Sequence, residues 1–219
     1  MTHFSSDAFA LMKPGDPFPE YGSVTEDLGP IAVGGDLSVQ TLYEAYSRGI
    51  FPWYSSLPIL WWSPNPRMAL PVDGFKLHKS LRKTLQRFRL NACCEIRIDS
   101  DFPLVMRCCA SVPRAGQSGT WIVPEMQQAY ALFHQAGFAH SVETWVDGQL
   151  VGGLYFINIG GAVFGKSMFS LQPDASKIAL AALIVMCRQR HVEWVDCQQN
   201  TQHLSSLGGQ DIARHDFLQ

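Results

Sequence analysis

A turn dipeptide between two strand-like segments is the feature of this sequence that most constrains its fold. Asp147-Gly148 separates residues 139–146 from residues 149–157. Asp-Gly favours a two-residue hairpin turn, because both of its residues tolerate a positive φ. Gly160-Gly161 then leads into a third strand-like segment, residues 162–169. The pattern predicts a three-stranded antiparallel meander.

Helix signals precede the meander. Asp36-Leu-Ser38 offers an N-cap, and Gly49 closes the helix that follows it. Two further helices are predicted at about 101–112 and 125–136, the second with proline at its start and glycine just past its end.

A helix and a short strand follow the meander. Asp174 is predicted to cap a helix that runs to about Arg190, and residues 192–196 are predicted to form a strand. The positions expected to form the buried stripe of this helix are Ile178, Ala181, Ala182 and Val185. Together with the meander, these elements predict a mixed α/β domain of the α+β class.

Composition narrows the type of protein. The chain has 219 residues, 47% of them apolar and 16% charged, which is typical of a compact globular protein. Its longest apolar run, residues 178–187, is too short to cross a bilayer as a helix, and no secretory signal is expected at the N-terminus. The six cysteines lack CxxC spacing, so we expect reduced thiols, no metal site and a cytoplasmic location.

Positive charge is concentrated in one segment although the net charge is −2. No acidic residue lies between Asp73 and Glu95. The basic residues of that segment are Lys76, Lys79, Arg82, Lys83, Arg87 and Arg89. An apolar stripe at helical spacing, Leu77, Leu81, Leu85 and Phe88, leaves these charges pointing outward. Such a helix face is either simply solvated or attracts a phosphate backbone.

Aromatic and proline residues alternate between Phe51 and Pro66, where proline rules out a long helix. The segment could form an ordered, aromatic-lined wall. We place a domain boundary at its end, which predicts a small N-terminal domain over residues 1–66 and a larger domain over residues 67–219.

Six motifs in the same order as in a known family carry a resemblance. They are Gly49-Ile-Phe-Pro-Trp53, Trp61-Trp-Ser-Pro-Asn-Pro-Arg67, Gly165-Lys-Ser-Met-Phe-Ser170, Asp174-Ala-Ser-Lys177, Asp196-Cys-Gln198 and His203-Leu-Ser-Ser-Leu-Gly208. The set resembles the leucyl/phenylalanyl-tRNA–protein transferases, over roughly residues 28–218. The resemblance implies an acetyltransferase-like fold for the larger domain and a monomer.

The activity that the resemblance implies is transfer of leucine or phenylalanine from charged tRNA to a protein whose N-terminal residue is Arg or Lys, which marks that protein for degradation. An aminoacyl ester is already activated, so we expect no cofactor. Asp196 and Gln198 would hold the attacking amine and relay its proton. From the residues alone Asp-x-Gln is a weak pattern, and the simpler interpretation is that Asp196 ends a strand by capping the following loop while Gln198 is exposed.

Other site residues follow from the same resemblance. Residues matching the pocket for the donor side chain are Leu154, Val163, Met168 and Val195, each of which could instead be core. Trp53 and Trp121 match tryptophans that hold the terminal adenosine and the aminoacyl group, although a packed core ring is the alternative. Tyr46 and Tyr130 match tyrosines of the site or are buried phenols. Residues expected to contact the acceptor stem of the tRNA are Lys79, Arg82, Lys83 and Arg87.

One residue departs from the family pattern. Lys166 stands where the family has glutamate, and next to another cation it would cost about 4 kcal/mol at a separation of about 4 Å and an effective dielectric of about 20. Lys166 could pair with Asp196, which would leave ordinary activity at reduced efficiency. It could also redirect transfer to acidic N-termini, or mark a tRNA-binding relative with impaired catalysis. Phe156, where many members have glycine, could narrow the pocket.

Two other classes of protein fit the sequence less well. A coenzyme A-dependent acyltransferase needs a glycine-rich strand-to-helix turn for the pyrophosphate, but Gly160-Gly161 lies between strands. An RNA-binding module without catalysis would need only the basic helix and stacking aromatics. Such a module would tolerate replacement of Asp196, whereas an enzyme would not.

Overall fold

The fold consists of two sheets and seven helices in the described part of the chain. The computed structural model describes residues 9–21, 29–111 and 121–218. The N-terminal elements are β1 (Ala10–Met12), β2 (Ala32–Gly34), α1 (Val39–Ser47), β3 (Phe51–Pro52) and β4 (Leu60–Trp62). They are followed by β5 (Arg67–Pro71), α2 (Lys79–Leu90), β6 (Cys94–Ile98), α3 (Phe102–Ser111), α4 (Pro124–Gln135), β7 (Ala139–Val146), β8 (Gln149–Ile159), β9 (Ala162–Ser170), α5 (Ala175–Gln189), β10 (Trp194–Gln198), α6 (Gln202–Ser206), β11 (Gln210–Ile212) and α7 (Arg214–Phe217).

The predicted meander forms the middle of the larger sheet. The strand order of this sheet is β11-β5-β10-β9-β8-β7-β6, and β7, β8 and β9 pair antiparallel in sequence. Asp147 and Gly148 both have positive φ, at 50° and 71°, as the hairpin prediction required. Strand β10 then lies parallel to β9 and antiparallel to β5. The mixed α+β prediction is confirmed.

The helix ends predicted from capping residues are confirmed for α1 and α4. Ser38 is the N-cap of α1, where its hydroxyl accepts a hydrogen bond from the Thr41 amide at 3.2 Å, and Gly49 follows with a φ of 67°. Pro124 opens α4, and Gly137 follows its end with a φ of 84°. Residue 112, the last of the predicted range 101–112, lies outside the described residues.

The predicted extent of α5 is confirmed, with Asp174 at its N-cap position and Ile178 and Ala181 buried, but two details of the prediction are wrong. Asp174 precedes the helix with a φ of 64°, and its carboxylate binds the Lys177 amine at 2.7 Å rather than a helix amide. Val185 is 50% exposed, because the buried face of the helix is centred on Leu180, Leu183 and Ile184. The helix is apolar on all sides over residues 178–187, so its sequence does not specify which side faces the sheet.

Two core clusters cover the faces of the larger sheet. One contains residues of α1, α3 and α4, including Tyr46, Phe102 and Phe133, and the other contains residues of α5 and β5. The sheets divide between Trp62 and Arg67, but the first cluster includes side chains from both. The domain division at residue 66 therefore stays a prediction. No helix in the described ranges is long and apolar enough to cross a membrane.

Helix α5 approaches β8 so closely that only glycine is accommodated at position 152. A Cβ on Gly152 would lie 2.4 Å from the Ala175 Cβ and 2.8 Å from its carbonyl carbon. We expect Gly152→Ala to lower the free energy of unfolding by about 1–3 kcal/mol, because the first turn of the helix must move. Denaturant unfolding of Gly152→Ala and of Gly152→Ala/Ala175→Gly checks this. The double variant should recover part of the loss, and equal stability of Gly152→Ala and the parent would contradict the close approach.

Candidate functional site

A gap between two parallel strands creates the cavity at the centre of the larger sheet. Strands β9 and β10 pair only through Val195–Val163 and Asp196–Phe164. Beyond these pairs β9 continues to Ser170, whereas β10 ends at Gln198, where the backbone bulges against β5 with a φ of 61°. The cavity has a volume of about 270 Å³.

One end of the cavity is apolar. It is lined by Leu154, Met168, Leu180, Leu183 and Val195, which belong to or pack against the core on the α5 side. Three of the four residues predicted for the donor pocket are therefore brought together here. Val163 is buried beside them but does not line the cavity. Leu180 and Leu183 were missed, because nothing in an all-apolar helix indicates which leucines face a cavity.

Aromatic residues form the opposite wall. Phe51, Trp53, Trp121 and Tyr155 line it from the core on the α1 and α4 side, so the cavity passes through the sheet at the gap. Trp53 packs edge-on against Trp62, with ring centroids 5.5 Å apart. Both predicted tryptophans thus face the cavity.

Tyr46 and Tyr130 lie behind this wall. Their hydroxyls hydrogen-bond to each other, and both side chains are buried. Burial is the main cause that raises the pKa of each phenol. Neither tyrosine lines the cavity, so they do not contact a substrate there as expected. They pack behind the aromatic wall instead. Phe156 is likewise buried in the other core and does not narrow the cavity.

Asp196 is held in a buried ion pair. Arg67 donates from Nε to Oδ1 at 2.8 Å and from Nη2 to Oδ2 at 2.6 Å, and the two side chains are 0% and 1% exposed. A third nitrogen of Arg67, Nη1, donates to the Gly49 carbonyl at 2.9 Å. Asp196 is not one of the residues that line the cavity. The motif that ends at Arg67 contained this partner, but the sequence did not indicate its role.

Gln198 brings a side-chain amide to the cavity. Its backbone amide donates to Asp196 Oδ1 at 2.9 Å, and its side-chain Nε2 donates to Oδ2 at 3.1 Å. Gln198 lines the cavity, and no hydrogen bond from a described residue reaches its Oε1. The expected association of Asp196 with Gln198 is present, but a bulge creates it rather than the simple strand alternation that the sequence suggested.

Lys166 is the extra residue of a bulge in β9. Tyr155 pairs with Ser167 and Phe156 pairs with Gly165, so the register skips Lys166. Bulges of this kind re-aim side chains next to functional sites.

The Lys166 ammonium rests on aromatic rings. Its Nζ lies 4.6 Å from the ring centroid of Phe51, 5.3 Å from that of Tyr46 and 5.5 Å from that of Trp121. Burial lowers the pKa of Lys166 to about 7, an effect that Asp196 opposes and Arg67 reinforces. Lys166 and Asp196 form no ion pair with each other, so the pairing expected from the sequence is wrong. Asp196 is already satisfied by Arg67.

Two further titratable groups line the cavity. Burial lowers the pKa of His203, which favours its neutral form, and nearby Lys177 acts in the same direction. Burial raises the pKa of the Cys197 thiol, so this cysteine is not an activated nucleophile.

The predicted tRNA-binding residues lie on α2. Lys79, Arg82, Lys83 and Arg87 are all exposed, whereas Leu81 of the same helix is buried. This exposed placement is compatible both with a helix face that is simply solvated and with one that binds a phosphate backbone.

One group in the described ranges has the composition of a metal site. Ligand atoms of Asp99, His134 and His140 lie within 4.8 Å of one another. However, Nδ1 of His140 is hydrogen-bonded to Asp99 at 2.8 Å and Nδ1 of His134 to the Ala139 carbonyl at 2.7 Å. The first bond ties β7 to the residue that follows β6, the second ties α4 to β7, and none of the three residues lines the cavity.

An apolar end, an aromatic wall and a positioned amide suit an enzyme that holds an acyl group for transfer. Sequence comparison agrees. The model of the leucyl/phenylalanyl-tRNA protein transferases matches residues 69–219, and the model of their N-terminal domain matches residues 35–65. The transferase of that name from Polaromonas sp. is 57% identical over 209 residues, which is 93% of this chain and 82% of the relative. The one from Methylibium petroleiphilum is 56% identical over 212 residues, 94% of this chain and 80% of the relative.

The chain therefore belongs to the leucyl/phenylalanyl-tRNA–protein transferase family, whose members are aminoacyltransferases. Among solved structures, a GCN5-related N-acetyltransferase from Kribbella flavida is similar at a TM-score of 0.41 and 11% identity, over 78% of this chain and 60% of the other. A likeness at this level carries no functional information.

Proposed function

We propose that this chain transfers leucine or phenylalanine from charged tRNA to the N-terminal amine of a protein. The observation that carries the proposal is a cavity that passes through the sheet between β9 and β10 and differs in chemistry at its two ends. The donor is also apolar at one end, where its amino-acid side chain lies, and aromatic at the other, where its adenine lies.

The donor side chain is placed at the apolar end. Leu154, Met168 and Val195 offer no charged group there, and methionine adapts to both branched and aromatic side chains. Discrimination in such a pocket amounts to about 1–3 kcal/mol per methylene, so related apolar donors should be accepted to some extent. The terminal adenosine is placed on Trp53 and Trp121, where stacking of a base contributes about 1–3 kcal/mol.

The ester that joins these two parts then lies at the gap, beside Gln198. In the reaction the acceptor nitrogen forms a bond to the ester carbonyl carbon, and the bond from that carbon to the ribose oxygen breaks. The nitrogen loses a proton, and the ribose oxygen gains one. Gln198 Oε1 is free to accept a hydrogen bond from the acceptor amine and so to direct its lone pair at the carbonyl carbon.

Asp196 acts through Gln198 in this proposal. Its carboxylate accepts from the Gln198 side-chain nitrogen, which fixes the amide with Oε1 toward the amine. Asp196 is thus a positioning residue, and its ion pair with Arg67 holds it behind the cavity. The exposed basic face of α2 is proposed to hold the acceptor stem of the tRNA through its phosphates.

The finer specificity stays a prediction. An acceptor beginning with Arg or Lys, and its degradation after transfer, follow from the family pattern, which has glutamate at position 166. Lys166 bears directly on that prediction. A cytoplasmic location is proposed because charged tRNA is available there.

The experiment that tests the proposal is transfer of labelled leucine and phenylalanine from tRNA to peptides with a neutral first residue. We expect a labelled peptide with an amide at its N-terminus, and no product from a peptide whose N-terminus is acetylated. Binding of charged tRNA without any transfer would instead support the RNA-binding module, and transfer to an internal lysine would contradict the N-terminal assignment.

A further inference from the structure

Lys166 provides the charge of the cavity. None of the described residues that line it is Asp or Glu, and its basic members are Lys166 and His203. His203 is mainly neutral near pH 7, because burial lowers its pKa. The charge that a substrate meets on this lining is therefore positive or zero, and never negative.

The nearest carboxylate does not neutralise Lys166. Both oxygens of Asp196 accept hydrogen bonds from Arg67, and Gln198 donates to each of them as well. The cation of Arg67 and the anion of Asp196 cancel each other. Lys166 is left with the faces of three aromatic rings, which stabilise a cation only weakly compared with a carboxylate.

The position of Lys166 places it next to the acceptor. Lys166 lies on β9 and Gln198 on β10, so they line the cavity from opposite sides of the gap. An acceptor amine that approaches the ester beside Gln198 carries its first side chain on the adjacent carbon. That side chain then enters the cavity that the flexible Lys166 side chain lines.

From this arrangement we infer that Lys166 selects acceptors whose N-terminal residue is acidic, Asp or Glu. The inference rests on the function proposed above. An acceptor carboxylate supplies the anion that Lys166 lacks and keeps the amine of Lys166 protonated. A basic first residue instead meets the like charge of Lys166 or forces Lys166 to give up its proton. Once deprotonated, the neutral Lys166 amine still offers no attraction to the basic side chain.

The test measures acceptor preference as the ratio of the kcat/KM values of two acceptor peptides, with the same donor in both reactions. Peptides that differ only in the first residue are compared as Asp against Asn and as Lys against Met. Because the same charged tRNA is used throughout, any effect of Lys166 on the donor cancels. For the unaltered protein we expect the Asp peptide to exceed the Asn peptide by about tenfold and the Lys peptide to fall below the Met peptide.

Three variants make the test specific. Lys166→Glu should invert both ratios, and Lys166→Met, which keeps an unbranched side chain without charge, should bring both close to one. Lys13→Glu makes the same charge change at an exposed residue that does not line the cavity, and it should leave both ratios as they are.

Preference of the unaltered protein for Lys over Met would overturn the inference. So would ratios that do not respond to Lys166→Glu. Absence of transfer to every peptide, including those beginning with Asn and Met, is a different result, because it removes the proposed function and the inference with it.

Discussion

Replacing Arg67 by methionine is expected to lower the free energy of unfolding by about 3–5 kcal/mol, since it leaves a buried carboxylate without its cation. Arg67 is fully buried and donates twice to Asp196, at 2.8 and 2.6 Å. Methionine has a similar length and no charge, so the change removes the ion pair with little change in packing. Denaturant unfolding of the variant and the parent protein gives the difference.

The matched control is Arg97→Met. Arg97 also pairs with a carboxylate, that of Glu95, but both side chains are substantially exposed, at 38% and 49%. A surface pair contributes about 0–1 kcal/mol, so this variant should unfold close to the parent protein. Equal losses for Arg67→Met and Arg97→Met would show that burial does not set the strength of the Arg67 pair.

Lys166 modifies this prediction. Its pKa responds to the charges of both Asp196 and Arg67, and its flexible stem could bring the amine to the unpaired carboxylate once Arg67 is gone. The double variant Arg67→Met/Lys166→Met should then be less stable than the sum of the single losses. Additive losses would mean that Lys166 cannot reach Asp196. The same measurement thus reports how far the Lys166 amine can travel in the cavity.

Local patterns in the sequence predicted much of the framework. The β7–β8 hairpin followed from Asp147-Gly148, and the ends of α4 followed from its proline and glycine, because these residues act on their own backbone. The buried side of α5 followed only in part. Ile178 and Ala181 are buried as predicted, but Val185 is exposed, since apolar residues surround the helix and only contact with the sheet selects a face.

The candidate site depends on contacts that the sequence does not display. Arg67 and Asp196 are separated by 129 positions, and either could have been an exposed charge. The gap between β9 and β10 arises from where two strands stop pairing, and Lys166 enters it through a bulge. The family resemblance identified Trp53, Trp121 and Gln198 as site residues that do line the cavity, but it also assigned Val163, which does not line it.

Gln198→Ala is expected to lower kcat for transfer by about a hundredfold, with the KM for charged tRNA nearly unchanged. The side chain is the one polar group of the proposed mechanism that both lines the cavity and contacts Asp196. Its loss removes the acceptor for the N–H of the attacking amine but leaves the apolar end and both tryptophans in place. Steady-state transfer to a single peptide, at varied tRNA and at varied peptide, separates the two constants.

Gln189→Ala is the control, because Gln189 ends α5 in an exposed position and does not line the cavity.

A second variant, Gln198→Glu, tests whether the side chain at position 198 acts by its position or by its charge. The introduced carboxyl group would lie next to Asp196 and repel it when ionised, so either it holds a proton or the Arg67 pair is disturbed. Relative to the parent protein at the same pH, transfer by this variant should therefore rise as the pH falls toward the range in which that proton is retained. Full activity of Gln198→Ala would show that Asp196 does not act through this amide, and would leave the proposed mechanism without a group that touches the amine.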